Sequence, residues 1–103
     1  MEDIYVEIVR ALEQNKKLVL ATLITREGSA PRAVGAKYLI KEDGTTSGSI
    51  GGGCVEAEVW QEAMETMADG KPRTVVVDLT EPTDGDDKIC GGIMEVFVER
   101  VTS

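Results

Sequence analysis

Two cysteines flanked by glycines are the residues of this chain with the clearest potential for chemistry. Cys54 follows Gly51-Gly52-Gly53 and Cys90 precedes Gly91-Gly92, and these are the only thiols in 103 residues. Glycine has no side chain to hold a ligand away from the backbone. A helical pattern begins directly after the first glycine run, and the N–H groups and dipole of a helix start favour an anion or a thiolate. The spacing therefore predicts a ligand-binding turn, with thiols suited to nucleophilic chemistry or to a soft metal.

Simpler interpretations of the same residues remain open. The glycines of the first run could serve only a tight turn between strand and helix, and each cysteine could be a small buried apolar residue. A disulfide between Cys54 and Cys90 is the less favoured alternative. Core cysteines do not need glycine neighbours, however, and both cysteines have them. The first run also lacks the Gly-Lys-Ser/Thr sequence of a P-loop, which disfavours nucleoside triphosphates.

A second loop offers groups suited to phosphate. Gly28 and Pro31 fix its path, while Ser29 and Arg32 supply hydrogen-bond donors. A solvated surface arginine is the alternative interpretation of Arg32. The loop is therefore a candidate second wall of the same binding site.

Composition excludes several classes of function. The chain carries 11 Lys and Arg against 19 Asp and Glu, a net charge of −8, which repels the phosphate backbone of nucleic acids. It contains no histidine, so Ser-His and Cys-His nucleophile pairs are excluded. No apolar stretch is long enough to span a bilayer and the N-terminus does not resemble a secretory signal, so we predict a cytoplasmic protein.

Hydrophobic periodicity predicts one α+β domain with the order αβββαββ. In this prediction two helices pack on a mixed or mostly antiparallel sheet of about five strands. An Asp-Gly turn at 42–44 joins the second and third strands, and Gly70 with Pro72 ends the second helix. The predicted helices are 3–14 and 54–68, and the predicted strands are 17–26, 37–41, 45–50, 73–80 and 93–101.

The second predicted helix has an acidic face. We interpret this face as solvated surface, with docking of a basic partner as the alternative. Its members are Glu56, Glu58, Glu62, Glu65 and Asp69.

Four ordered motifs together resemble the N-terminal domain of the XdhC/CoxI family. They are Gly28-Ser29-Ala30-Pro31-Arg32, Val34-Gly35-Ala36, Gly52-Gly53-Cys54-Val55-Glu56 and Cys90-Gly91-Gly92, with an acidic Asp78-Leu79-Thr80 before the last. The resemblance runs from about Val19 to Val98. From the resemblance we expect residues 1–103 to form a single XdhC/CoxI-like domain, without the C-terminal Rossmann-like domain that many members carry. The chain is then either a stand-alone short member or a piece of a longer protein.

The resemblance implies a maturation factor for molybdenum hydroxylases rather than an enzyme. Such proteins bind the molybdenum cofactor, a molybdopterin or its dinucleotide form, cooperate with a cysteine desulfurase that sulfurates it, and deliver it to an apo-molybdoenzyme of the xanthine dehydrogenase or CO dehydrogenase type. Cys54 and Cys90 would then hold molybdenum or relay sulfur. Gly51, Gly52, Gly53, Gly91 and Gly92 would let the cofactor approach, and Gly28, Ser29 and Arg32 would complete the pocket.

The sequence leaves two other functions open. The domain could carry persulfide sulfur on Cys54 or Cys90, or it could be an interaction module that binds no small molecule. A homodimer is also left open, because two copies could enclose one large cofactor. Gly51 stands where this family more often has serine, which removes one hydrogen-bonding group.

Overall fold

The computed structural model describes residues 4–27, 34–51, 53–78 and 92–101, which form two helices and five strands. The predicted order αβββαββ and the α+β class are confirmed. All strand pairs in the sheet are antiparallel, and the strand order is β3-β2-β1-β5-β4. The elements are α1 (Ile4–Glu13), β1 (Leu18–Glu27), β2 (Lys37–Lys41), β3 (Thr46–Gly48), α2 (Gly53–Asp69), β4 (Arg73–Asp78) and β5 (Ile93–Val101).

The core lies between α2 and one face of the sheet, the inner face. The stripe predicted for α2 at i, i+4 spacing is buried against alternate residues of the strands, as periods of 3.6 and 2 require. The helix residues are Val55, Val59, Ala63 and Met67, and their main strand partners are Val19, Ala21, Leu23, Tyr38, Ile40, Val75, Val77, Met94, Val96 and Val98.

Helix α1 lies on the outer face of the sheet, over β2 and β3. Glu7 Oε1 accepts hydrogen bonds from Lys41 Nζ at 2.8 Å and from Ser47 Oγ at 2.7 Å. These two hydrogen bonds lower the pKa of Glu7. The predicted helix 3–14 is thus confirmed to within a residue over its described part, and the contacts of Glu7 fix which half of the outer face α1 covers.

Strand β3 is shorter than the predicted 45–50. It ends at Gly48, which adopts a φ of +82° and lies so near Lys37 that a Cβ there would overlap the Lys37 carbonyl oxygen. Ser49 N then donates to that oxygen at 3.0 Å. The chain therefore turns away from the sheet two residues before the predicted end of the strand.

The turn between β2 and β3 and the end of α2 follow the prediction. Gly44 N donates to Lys41 O at 2.9 Å and closes the predicted hairpin turn. Helix α2 extends one residue beyond the predicted 54–68 at each end, and Gly70, at a φ of +74°, donates to Thr66 O at 2.8 Å. The end of the predicted strand 73–80, beyond residue 78, and the polar segment 81–88 lie outside the described residues. Neither described helix is long and apolar enough to span a membrane.

Candidate functional site

One end of the sheet gathers the residues that flank all four motifs. Glu27, the last residue of β1, pairs with Ile93 at the start of β5, and Asp78, the last residue of β4, pairs with the same residue. Glu27 directly precedes the segment 28–33, and Asp78 and Ile93 are the strand ends on either side of the segment 79–91. The residues that border the two segments are therefore neighbours in the sheet. We call this end of the sheet the motif end.

The second and third motifs are anchored at the same end. Gly35 N donates to Leu23 O at 2.8 Å and Leu23 N donates to Ala36 O at 3.0 Å, so the Val-Gly-Ala motif is hydrogen-bonded to β1. The bond from Ser49 N to Lys37 O holds the end of β3 beside the start of β2. Helix α2 consequently begins at the motif end and runs towards the other end of the sheet.

Glu56 fastens the junction between β3 and α2. Its Oε2 atom accepts hydrogen bonds from Ser49 Oγ at 2.6 Å and from the backbone N–H of Ile50 at 3.2 Å, and Ile50 itself is fully buried. A carboxylate in the first turn of a helix is also stabilised by the helix dipole. The interpretation of Glu56 as solvated surface is therefore wrong, because its side chain folds back on the preceding loop. The sequence contains a signal for this contact, because Glu56 is an acidic residue in the first turn of the predicted helix, directly after a polar, glycine-rich junction.

The rest of the acidic face is divided. Glu58 and Glu65 are exposed, as expected of solvated surface. Arg73 of β4 instead pairs with Asp69 at 2.6 Å and lies 3.8 Å from Glu62. Its hydrogen bond is the main reason that the pKa of Asp69 falls to about 2. This half of the face therefore joins α2 to β4 and carries less net negative charge than the sequence suggests.

Tyr38 is a polar residue near the junction that belongs to none of the four sequence motifs. It is almost fully buried among the core residues of the inner face. Burial raises its pKa and the negative charge of Glu56 adds to the rise, against the hydrogen bond with Thr46. Its phenol thus stays protonated and can only act as a neutral hydrogen-bonding group at ordinary pH.

The predicted site residues are only partly described. Gly51 lies in the junction, Gly53 is the first residue of α2 and Cys54 is the second, with its side chain outside what the structure describes. Gly92 is buried directly before β5. The other predicted site residues, Gly28, Ser29, Arg32, Gly52, Cys90 and Gly91, lie outside the described residues.

The described part of the junction fits an anionic ligand. A Cβ added at Gly53 would meet no atom within 4 Å, so the backbone there is open to approach. The first N–H groups of a helix have no partner within the helix and favour negative charge. Among the described residues, no three Cys, Asp or Glu side chains are grouped as a protein-only metal site would need.

Comparison with known proteins identifies the family. The model of the XdhC and CoxI family matches residues 11–78, about two thirds of the chain. The chain belongs to the XdhC and CoxI family. The match includes the first three motifs and the whole of α2, and the family resemblance read from the motifs is confirmed.

Three similar proteins are considerably longer than this chain. The chain is 36% identical over 95 residues, 92% of its length and 30% of the relative's, to the molybdenum cofactor insertion chaperone PaoD of Escherichia coli. It is 38% identical over 95 residues, 88% of its length and 28% of the relative's, to a probable xanthine dehydrogenase subunit of Bacillus subtilis. The crystal structure of a xanthine dehydrogenase from Bacillus halodurans superposes with a TM-score of 0.78 at 36% identity, covering 93% of this chain and 30% of that one. The chain thus spans less than a third of each of these proteins.

Proposed function

We propose that this chain binds the molybdenum cofactor and takes part in delivering it to a xanthine dehydrogenase- or CO dehydrogenase-type apoenzyme. The observation that carries the proposal is that the described residues flanking all four family motifs lie together at the motif end of the sheet. The name of the chaperone PaoD, a relative over nearly the whole of this chain, supports the choice of cofactor.

The residues at the motif end have chemistry suited to this ligand. Molybdopterin is a phosphate ester whose dithiolene sulfurs bind molybdenum, so it needs backbone donors for the phosphate and a soft ligand near the metal. The N–H groups at the start of α2 and the open backbone of Gly53 would receive the anionic part. Cys54 and Cys90 would hold the metal or relay sulfur, and Gly28, Ser29, Arg32 and the other motif glycines would complete the pocket.

We further infer how the delivery cycle would run, and how a second copy of the chain would contribute to it. A cysteine desulfurase would supply the sulfur and the apoenzyme would receive the sulfurated cofactor, both in the cytoplasm. The chain itself holds and orients the cofactor and supplies no catalytic residue. A homodimer would extend the pocket with a second set of the same motifs.

The test compares cofactor content in two expression hosts, one that makes the molybdenum cofactor and one that does not. We expect molybdenum and pterin to co-purify in near-stoichiometric amounts from the first host only, and to fall at least tenfold in Cys54→Ala or Cys90→Ala. Lys71→Ala, an exposed position at the other end of the sheet, is the control and should keep its cofactor.

A second candidate, a persulfide carrier, gives a different result in the same preparations. If the chain is a persulfide carrier, protein purified from the host that lacks the cofactor should accept labelled sulfur from a desulfurase on one of its two thiols. Absence of molybdenum and pterin from every wild-type sample would contradict cofactor binding by this chain.

A further inference from the structure

The half of the outer sheet face formed by β4 and β5 is not covered by either described helix. α1 lies over the other half, because Glu7 contacts Lys41 of β2 and Ser47 of β3. Five strands span about 20 Å, whereas a helix with its side chains is about 10 Å wide. In agreement, Val76 in the middle of β4 is 58% exposed, and Phe97 on the neighbouring strand is only half-buried.

Charge is sorted between the two faces of these strands. The two arginines point to the α2 side: Arg73 binds Asp69, and Arg100 Nη1 donates to Met67 O at 3.2 Å. Three carboxylates and no Lys or Arg alternate onto the outer side within the described parts of β4 and β5. The outer residues are Thr74, Val76, Asp78, Ile93, Glu95, Phe97, Glu99 and Val101.

We propose that this uncovered half of the outer face, formed by β4 and β5, docks an amphipathic helix of a partner protein whose apolar stripe is flanked by Lys and Arg. The apolar centre at Val76 and Phe97 would receive the stripe, and Glu95 and Glu99 would attract the basic flanks. A second copy of this chain is the wrong occupant, because two such faces would bring two sets of carboxylates together. Binding here does not depend on the cofactor site.

The test uses two synthetic helical peptides with the same apolar stripe, one flanked by lysines and one by glutamates. Titrated into the full 103-residue chain, the lysine peptide should bind and shift the amide signals of β4 and β5. The glutamate peptide should bind at least tenfold more weakly. Val76→Glu should weaken binding of the lysine peptide tenfold or more, whereas Val34→Glu, at a site of nearly the same exposure (56%), should not.

Charge reversal keeps the test decisive if Val76→Glu disturbs the fold. The double variant Glu95→Lys with Glu99→Lys should invert the preference between the peptides. Equal binding of both peptides, binding of neither, or equal effects at positions 76 and 34 would overturn the proposal. So would sedimentation showing a wild-type dimer that Val76→Glu dissociates. Cys54→Ala should bind the lysine peptide as wild type does, because the docking face and the cofactor site are separate. Loss of the docking proposal would therefore not contradict the proposed cofactor binding.

Discussion

Replacing Glu56 by alanine should loosen the junction that leads into the glycine-rich turn. The change removes the acceptor of the Ser49 hydroxyl at 2.6 Å and of the Ile50 N–H at 3.2 Å. A hydrogen bond to a charged group contributes about 1.5–3 kcal/mol, but water replaces part of this at a half-exposed side chain. We therefore expect the free energy of unfolding to fall by about 2 kcal/mol.

Urea denaturation of Glu56→Ala measures this loss. With a slope of about 1.5 kcal/mol per molar, typical for a small protein, the midpoint should fall by more than about 1 M. Glu56→Gln is the matched control, since its amide oxygen can still accept both hydrogen bonds without the charge, and it should lose about half as much. Exchange of the Ile50 amide with deuterium should accelerate most in the alanine variant. A midpoint within about 0.3 M of wild type, or an unchanged exchange rate at Ile50, would refute the assigned role of Glu56.

Three further predictions test the geometry of the molecule. Gly48→Ala should lower the free energy of unfolding by at least about 2 kcal/mol in urea denaturation, because left-handed backbone costs an L-residue about 1–2 kcal/mol and the new Cβ would overlap Lys37 O; wild-type stability would contradict the assigned φ. Gly53→Ala should leave the free energy of unfolding unchanged or slightly raised, since alanine is the better helix former and its Cβ would have open space. The same variant should co-purify with less molybdenum, and retained molybdenum would argue against approach of the cofactor to the backbone at this position. The hydrogen bond from Arg73 lowers the pKa of Asp69 from 3.8 to about 2, so its stabilisation is complete above about pH 4 and is lost as pH falls towards 2. Melting temperatures of wild type and Asp69→Asn should accordingly differ at about pH 5 and converge near pH 2, and a constant difference would exclude the linkage.

The sequence predicted those parts of the fold that depend on local periodicity. The buried stripe of Val55, Val59, Ala63 and Met67 follows from its i, i+4 spacing, and the strand 37–41 follows from the Asp-Gly turn after it; both are confirmed. The helix stripe is a reliable pattern because one face of the helix must be buried.

Features that depend on partners distant in the chain were not predictable. β3 ends at Gly48 because of a close contact with Lys37, eleven residues away, and the acidic face of α2 is divided because Arg73 of the next strand reaches Asp69 and Glu62. Tertiary contacts decide such cases. Glu56 differs from these cases, because its place in the first turn of α2 distinguishes it locally from Glu58, which is exposed.

Antiparallel pairing explains why the residues that flank four motifs, spread over more than sixty positions of the chain, lie at one end of the sheet. In a sheet of order β3-β2-β1-β5-β4 with α2 running back along it, successive connections alternate between the two ends. The connections 28–36, 49–52 and 79–92 therefore share the motif end, and all the family motifs lie on them or border them. The connections 14–17, 42–45 and 70–72 share the other end and carry none. Substitutions in the second set should consequently alter stability without altering cofactor content, which makes the two ends of one small sheet an internal control for each other.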